Sequence, residues 1–179
     1  QAVRGTVQSG TGAATADITP QKGVLLDGPI SKNGPVTGVH DRLHARALVL
    51  DDGKTRLGIV ICDACMIGRD VFDQARMLIG QKSTMNPQFI LMAATHTHAA
   101  VRATHIGRGK LDDAYHHQLA IRIAGAVLAA EKNLAPAHPR WSARTWPCPP
   151  APGPSGTPAS GAFFFLGLVW FGFGLVWCG

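Results

Sequence analysis

The chain has 179 residues, of which 46% are hydrophobic and 16% are charged. This balance can fill the core of one domain of ordinary size and excludes intrinsic disorder of the whole chain. Four cysteines are too few and too unevenly spread for the disulfide framework of a small secreted protein. The net charge of +6 is a mild excess without clustered Lys and Arg, so nucleic acid is not an expected partner.

The first half of the chain predicts strands separated by a long irregular stretch. Gly12–Thr19 is typical of a short strand that Pro20 stops, and repeated Gly and Pro mark an irregular segment over Gly23–Gly38. The branched runs His44–Leu50 and Arg56–Cys62 flank an Asp-Asp-Gly-Lys turn and therefore predict a hairpin.

The next elements alternate between helix and strand. Apolar residues at helical spacing predict a helix over Arg69–Gly80, with Gly80 as its C-cap, and the apolar run Gln88–Ala94 predicts a buried strand. A second helix should begin after a cap at Asp112 or Asp113 and run to about Asn133. A helix between two buried strands indicates a crossover, so we expect an α/β fold in which crossover helices join a mixed sheet.

The composition changes sharply near residue 140. The remaining residues carry all four tryptophans, five of the seven phenylalanines and one charged side chain, Arg144. We expect a domain over 1–140, a Pro-rich linker or non-native tail over 141–160, and an apolar segment over 161–179. That segment is long enough to cross a bilayer core of about 30 Å as a membrane anchor. A reading frame lost in a GC-rich gene would give the same composition, so both interpretations stand.

The strongest chemical signal is a Thr-His-Thr-His segment that supplies two imidazoles, His96 and His98. It directly follows the predicted strand Gln88–Ala94. In an extended chain, side chains two residues apart lie on one face, so the two imidazoles should converge. Imidazole is a common zinc ligand, and ligands usually lie at the carboxyl ends of strands in α/β sheets. We therefore predict a metal site rather than two histidines bonded to solvent.

A catalytic zinc ion takes three protein ligands and keeps one position open for water. His96 and His98 supply at most two. The candidates for the third are other histidines and an acid at a strand end: His40, His44, His105, His116, His117 and Asp63. For His116 and His117, in the first turn of the second predicted helix, a surface or capping role is expected instead.

Two thiols, Cys62 and Cys65, flank Asp63 at the end of the strand Arg56–Cys62. They are compatible with a redox pair or with half of a zinc knuckle. No second pair stands at the spacing of a four-cysteine site, so we favour small core residues.

Three segments of the first 140 residues stand in a distinctive order: GAATADITP (Gly12–Pro20), GVHDRLHARALVLDDGKTRLGIVICDACMI (Gly38–Ile67) and FILMAATHTHAA (Phe89–Ala100). Together they resemble the N-terminal region of the neutral/alkaline, non-lysosomal ceramidase family, over about residues 12–136. The resemblance implies the incomplete N-terminal part of a larger catalytic domain. It further implies a Zn²⁺-dependent amide hydrolase that splits ceramide-like lipids into a sphingoid base and a fatty acid.

The same resemblance implies roles for individual residues. It assigns His96 to the metal and His98, beside it, to catalysis. Asp63 receives a supporting role, and His40 and His44 are kept as further supporting residues. A secreted or membrane-associated location, with a membrane surface as partner, is also implied.

The chain departs from the family pattern in two places. Where the ceramidases continue Ser-Gly-Pro after the second His, this chain has Ala99, Ala100 and Val101, so another N-acyl or ester substrate is also open. The family's remaining zinc ligands, a His, a Glu and a Tyr, lie past the resemblance and have no counterpart in residues 141–179. We therefore expect a truncated, inactive portion of the enzyme. The alternative function is a membrane-tethered, non-enzymatic module that uses residues 161–179.

Overall fold

The computed structural model describes residues 9–27, 34–105 and 111–137. They belong to the first of the two units into which the chain divides, Gln1–Pro139 and Arg140–Gly179. The predicted linker 141–160 and apolar segment 161–179 lie outside the described residues, so both interpretations of the tail stay predictions. Within the described ranges, no helix combines the length and the apolar character needed to cross a bilayer.

Seven strands and two helices are described, with a 3₁₀ turn at Pro87–Phe89. In chain order they are β1 (Gly10–Asp17), β2 (Leu26–Asp27), β3 (His44–Asp51), β4 (Arg56–Cys62), α1 (Arg69–Lys82), β5 (Ile90–Ala94), β6 (Ala100–Val101), α2 (Asp113–Lys132) and β7 (Ala135–Pro136).

Five of these strands form one mixed sheet in the order β5-β4-β3-β1-β7. β4 and β5 are parallel and are connected through α1, whereas β1, β3, β4 and β7 pair antiparallel with their other neighbours. Parallel neighbours need such a crossover because a tight turn can only reverse the chain. The predicted α/β class, with a mixed sheet and a crossover helix, is confirmed. β2 and β6 form a separate two-stranded ladder.

The predicted hairpin is confirmed as β3 and β4. Its register runs from Asp51 opposite Arg56 to Ala45 opposite Cys62. The Asp52 carboxylate accepts hydrogen bonds from the backbone N–H groups of residues 54 and 55, and Gly53 adopts a φ of 81° that favours glycine. The turn chemistry of the sequence therefore fixes the register of the hairpin.

The core lies between the sheet and the helices. Alternate residues of β3, Ala45, Ala47 and Val49, are buried, as expected for a strand with one covered face. α2 has an apolar stripe whose members are all buried: Leu119, Ile123, Ala126, Val127 and Ala130. The Asp112 side chain caps α2 by accepting from the N–H of Tyr115 at 2.8 Å.

Three predicted elements have other boundaries. The first strand, expected over Gly12–Thr19, spans Gly10–Asp17, because residues 10 and 11 already pair with β3. α1 continues through Gly80 to Lys82, and Ser83 is the C-cap, with its N–H donating to the Ile79 carbonyl at 2.9 Å. The helical hydrogen-bond ladder therefore continues beyond the glycine. β5 begins at Ile90 rather than at residue 88, because the Asn86 side chain accepts from the N–H of Gln88 and holds a 3₁₀ turn before the strand.

Candidate metal centre

Two loops meet at the carboxyl ends of the parallel strands, one after β4 and one after β5. The two parallel strands end in register, with Cys62 opposite Ala94. The N–H of Thr95 donates to the Cys62 carbonyl at 3.0 Å, so the loops are still paired where they leave the sheet. Side chains of both loops therefore converge although 31 positions separate Cys65 from His96.

The predicted convergence of His96 and His98 is observed. Their Nε2 atoms are 3.3 Å apart, and the rings meet edge to face with centroids 4.9 Å apart. The cause differs from the one expected, since β5 ends at Ala94 and His96 has a φ of 62°, in the left-handed region. A tight bend, not the pleat of a strand, aims the imidazoles at each other. Such strain in a non-glycine residue is typical of functional sites.

The backbone carbonyl of Cys65 sets the orientation of the His96 ring. Nδ1–H of His96 donates to this carbonyl at 2.8 Å, and the Cys65 Sγ lies 3.7 Å from the same nitrogen. A histidine that donates from Nδ1 keeps the lone pair of Nε2 for a metal ion. The lone pair of His96 is thus on the side that faces His98.

Cys65, His96 and His98 form a group that could hold a metal ion. One donor atom from each residue lies within 4.8 Å of those of the other two, with Cys65 buried and the histidines exposed. Two nitrogens bound to one tetrahedral zinc ion at about 2.05 Å are about 3.3 Å apart, and the Nε2 atoms have this spacing. The donor set of one sulfur and two imidazoles also suits zinc chemically.

The sequence analysis missed Cys65 as a member of this group. Burial of both thiols is confirmed, since Cys62 is 0% exposed and Cys65 3%. Their surroundings differ, because Cys62 packs into the main core cluster and Cys65 does not. Burial, followed by the negative charge of Asp63, raises the pKa of the Cys62 thiol to about 12. The C-x-x-C spacing was the available signal, and one of its two thiols faces the histidines.

Asp63 lies in the β4–α1 loop and fastens that loop to β3. Its carboxylate accepts from the His44 N–H at 3.0 Å and from the Arg46 guanidinium, and its own N–H donates to the His44 carbonyl at 2.9 Å. These contacts occupy the carboxylate two residues before Cys65. They are compatible with a supporting role, which stays a prediction.

The other predicted residues lie outside the Cys65–His96–His98 group. His44 begins β3, and its backbone is tied to Asp63. His40 is fully exposed and pairs with Asp41 at 2.9 Å; the hydrogen bond and charge of that carboxylate raise the pKa of His40. The structure does not bring either residue into contact with the imidazole pair, and their supporting roles also stay predictions.

The remaining candidates for a third ligand contact other residues instead of the imidazole pair. His105 lies 3.4 Å from a carboxylate oxygen of Asp70, and His117 pairs with Gln74 at 2.8 Å. His116 is 8% exposed, with Nε2 3.4 Å from the Arg102 carbonyl. The expected surface or capping role is therefore wrong for His116, because the first turn of α2 directs it inward.

The protein is therefore of the α/β class. It has a mixed sheet and a candidate metal centre of sulfur and imidazole groups at the carboxyl ends of its two parallel strands. Two solved structures are similar to it. One is neutral ceramidase from Pseudomonas aeruginosa, with a TM-score of 0.61, 23% sequence identity, and coverage of 73% of this chain and 22% of that chain. The other is a ceramidase complexed with C2, with the same TM-score and coverage at 22% identity.

The chain therefore spans about one fifth of the length of these ceramidases. At this level of identity the likeness is one of fold, and it confirms that the described residues have the fold of a portion of a neutral ceramidase. No protein-family model matches the chain, and a search of curated proteins finds no match.

Proposed function

We propose that this chain supplies part of the zinc site of an amide hydrolase of the neutral ceramidase type. The reaction would cleave the N-acyl bond of a ceramide-like lipid to a sphingoid base and a fatty acid. The observation that carries the proposal is the pair of Nε2 atoms, 3.3 Å apart, at the edge of a sheet whose fold is shared with ceramidases. Because the chain spans 22% of the similar ceramidase, the complete reaction belongs to the larger protein.

The donor set supports a metal-dependent mechanism. A bound zinc ion supplies Lewis-acid catalysis, polarising a carbonyl and lowering the pKa of water to about 7. His96 would hold the ion through Nε2, with its ring fixed by the Cys65 carbonyl. His98 is close enough either to hold the same ion or to transfer a proton to the leaving amine.

The substrate class extends to N-acyl compounds other than ceramide. The three residues after His98 differ from the Ser-Gly-Pro of the ceramidases, and two of them, Ala100 and Val101, are 1% exposed and form β6. These two residues pair with Asp27 and Leu26 of β2. A panel of N-acyl sphingosines, N-acyl amino acids and esters would identify the preferred substrate.

The test is zinc content together with hydrolysis. His96→Asn is the informative variant because asparagine tolerates the left-handed backbone of this position and removes the imidazole. We expect the purified chain to bind close to one zinc ion and the variant to lose it. In a longer protein that includes the chain, the same change should abolish hydrolysis.

His117→Asn is the matched control, because His117 is exposed and lies outside the metal group. It should leave zinc content and hydrolysis unchanged. Absence of zinc binding by the unmodified chain, or hydrolysis that survives His96→Asn, would overturn the proposal.

A further inference from the structure

We infer that the face of the five-stranded sheet opposite the helices is an interface, and that the remaining portion of a larger catalytic domain, in the same polypeptide, packs on it. The inference goes beyond the proposed function. It rests on the fold and on the exposure of side chains, not on metal binding, so either proposal can fail while the other stands.

Both described helices cover the same face of the sheet. The main core cluster takes residues from α1 and α2 together with alternate positions of the strands, such as Val49, Val60 and Met92. Side chains of a strand point to the two faces in turn, so the positions between these lie on the opposite face. Since α1 and α2 are the helices of the described ranges, no helix in that part of the chain covers the opposite face.

The centre of the opposite face is aliphatic. Directly paired residues point to one face, and the strand registers place Leu48, Ile59 and Leu91 in one row and Leu50 beside Leu57 in the next. These five residues form the aliphatic surface, and none of them belongs to either core cluster. Leu50 is 37% exposed, Leu57 42% and Leu91 58%. Leucines exposed side by side mark an interaction site, unlike apolar residues scattered singly.

The border of the aliphatic surface is polar. Toward β1 the side chains become small and polar, because Thr11 lies opposite Leu50 and Thr15 opposite Arg46. Arg46 occupies the end nearest the carboxyl ends of β4 and β5, where Asp63 pairs with it. An apolar centre inside a polar border is the usual composition of a protein interface.

The size of the opposite face argues against a separate molecule as its occupant. With a strand spacing of about 4.8 Å and a rise of about 3.3 Å per residue, the rows on β1, β3, β4 and β5 cover about 400 Å². A stable complex of separate molecules buries about 800 Å² per partner. A second copy of the chain would therefore be held weakly. A segment of the same polypeptide needs no such area, since covalent linkage gives it a high effective concentration.

The comparison with ceramidases supplies a segment of this kind. The chain matches 22% of a neutral ceramidase, so most of a polypeptide of that type lies beyond the match. Sheets of α/β domains are ordinarily covered on both faces, and one face is covered here by α1 and α2. The occupant that fits is thus an apolar surface of the remaining portion of the domain.

The experiment compares thiol labelling in the chain and in a longer protein that includes it. Leu57→Cys places a thiol on the aliphatic surface, and Met77→Cys is the matched control on α1, where Met77 is 54% exposed. Cys148→Ser and Cys178→Ser remove the two cysteines near the end of the chain. Peptide mapping after treatment with iodoacetamide locates the label.

In the chain alone, both introduced thiols should label fast. In the longer protein, Leu57→Cys should label at least about 100-fold more slowly, because its thiol must wait for local opening. Met77→Cys should keep its rate. An unchanged rate for Leu57→Cys in the longer protein would overturn the inference, and so would equal slowing of Met77→Cys.

Other occupants give other results. Slow labelling of Leu57→Cys in the dilute chain would show that the opposite face is already covered within the 179 residues. Labelling that slows as the concentration of the chain rises would show that a second copy covers it. Either result overturns the inference, and neither involves the metal group.

Leu91→Cys is the second variant, on the neighbouring strand β5. It decides the question if Leu57→Cys does not fold, which labelling of the buried Cys62 would reveal. Leu91→Cys should show the same contrast between the chain and the longer protein, and equal rates in the two would refute the inference.

Discussion

Replacing Gly12 with alanine tests the closest approach between β1 and α2. A Cβ atom at this position would lie 2.8 Å from the backbone nitrogen of Leu134 and 2.9 Å from the carbonyl carbon of Asn133, and closer still to the carbonyl oxygen of Ala130. All three neighbours are backbone atoms at the end of α2. No side-chain rotation can relieve the overlap, so the strand and the helix must separate.

The magnitude follows from these distances. Ordinary contact with a Cβ begins at 3.4 Å, so relief at Leu134 alone requires a shift of about 0.6 Å. Overpacking of a core costs about 1–3 kcal/mol, and the Ala130 oxygen places this change at the upper end of that range. The reduced entropy of the unfolded chain returns about 0.4–1 kcal/mol. We expect Gly12→Ala to lower the free energy of unfolding by about 2 kcal/mol.

Gly125→Ala is the control, because it adds the same methyl group where nothing lies within 4 Å. Gly125 is an exposed residue inside α2, where alanine is favoured over glycine by about 0.5–1 kcal/mol. The two variants should therefore shift the urea midpoint, followed by circular dichroism, in opposite directions. If Gly12→Ala unfolded at the wild-type midpoint, the packing of β1 against α2 would be wrong.

Three further predictions concern ionisable groups. Hydrogen bonds from the hydroxyl and N–H of Thr19 hold the pKa of Asp17 below its ordinary 3.8. The stability that the ionised carboxylate contributes is therefore present above pH 3.8 and is lost as the pH falls below it. Asp17→Asn should lose less stability than wild type between about pH 5 and about pH 2.5 in urea unfolding, and an equal loss would contradict this. Tyr115→Phe removes a hydroxyl that donates to the Ile18 carbonyl at 2.8 Å and should cost about 1 kcal/mol. Burial raises the pKa of Tyr115 above 10.0, so wild type alone should lose this contribution as the pH rises beyond that value. Since burial raises the pKa of Cys62 to about 12, iodoacetamide at about pH 8 should leave it unmodified in the native state, as peptide mapping would show; fast labelling would refute this.

The local patterns of the sequence predicted the elements well because each depends on neighbouring residues. The Asp-Gly turn defines the hairpin, and the apolar spacing and Asp112 cap define α2. Element ends were less predictable, since Gly80 is compatible with both the interior and the end of a helix. Only the hydrogen bond from Ser83 to Ile79 shows that the ladder continues beyond it.

The irregular stretch Gly23–Gly38 shows a second limit of local patterns. Its residues Leu26 and Asp27 form β2 and pair with Ala100 and Val101, beyond the histidine pair. Neither partner alone has the length or alternation of a strand. Pairing between segments so distant in sequence is decided by the folded chain, not by local propensity.

The metal centre combines a local part with a nonlocal one. His96 and His98 are two residues apart, so the sequence was sufficient to predict that they converge, although it supplied the wrong backbone geometry. Cys65 joins them only because β4 and β5 are parallel and end in register at Cys62 and Ala94. The predicted crossover already implied that the loops after these strands lie side by side. It did not give the register of β4 and β5, which decides whether the two loops meet.

All three donors of the candidate site therefore come from one β-α-β unit, residues 56–98. The geometry of the site depends on how firmly this unit is held, which explains the density of contacts at its open end. Asp63 joins the first loop to β3, and Gly68 joins the start of α1 to Ala103, beyond the second loop. A change at Asp63 should therefore alter metal affinity without removing a ligand, and to a smaller extent than a change at His96. That order of effects would distinguish a residue that positions the site from one that binds the ion.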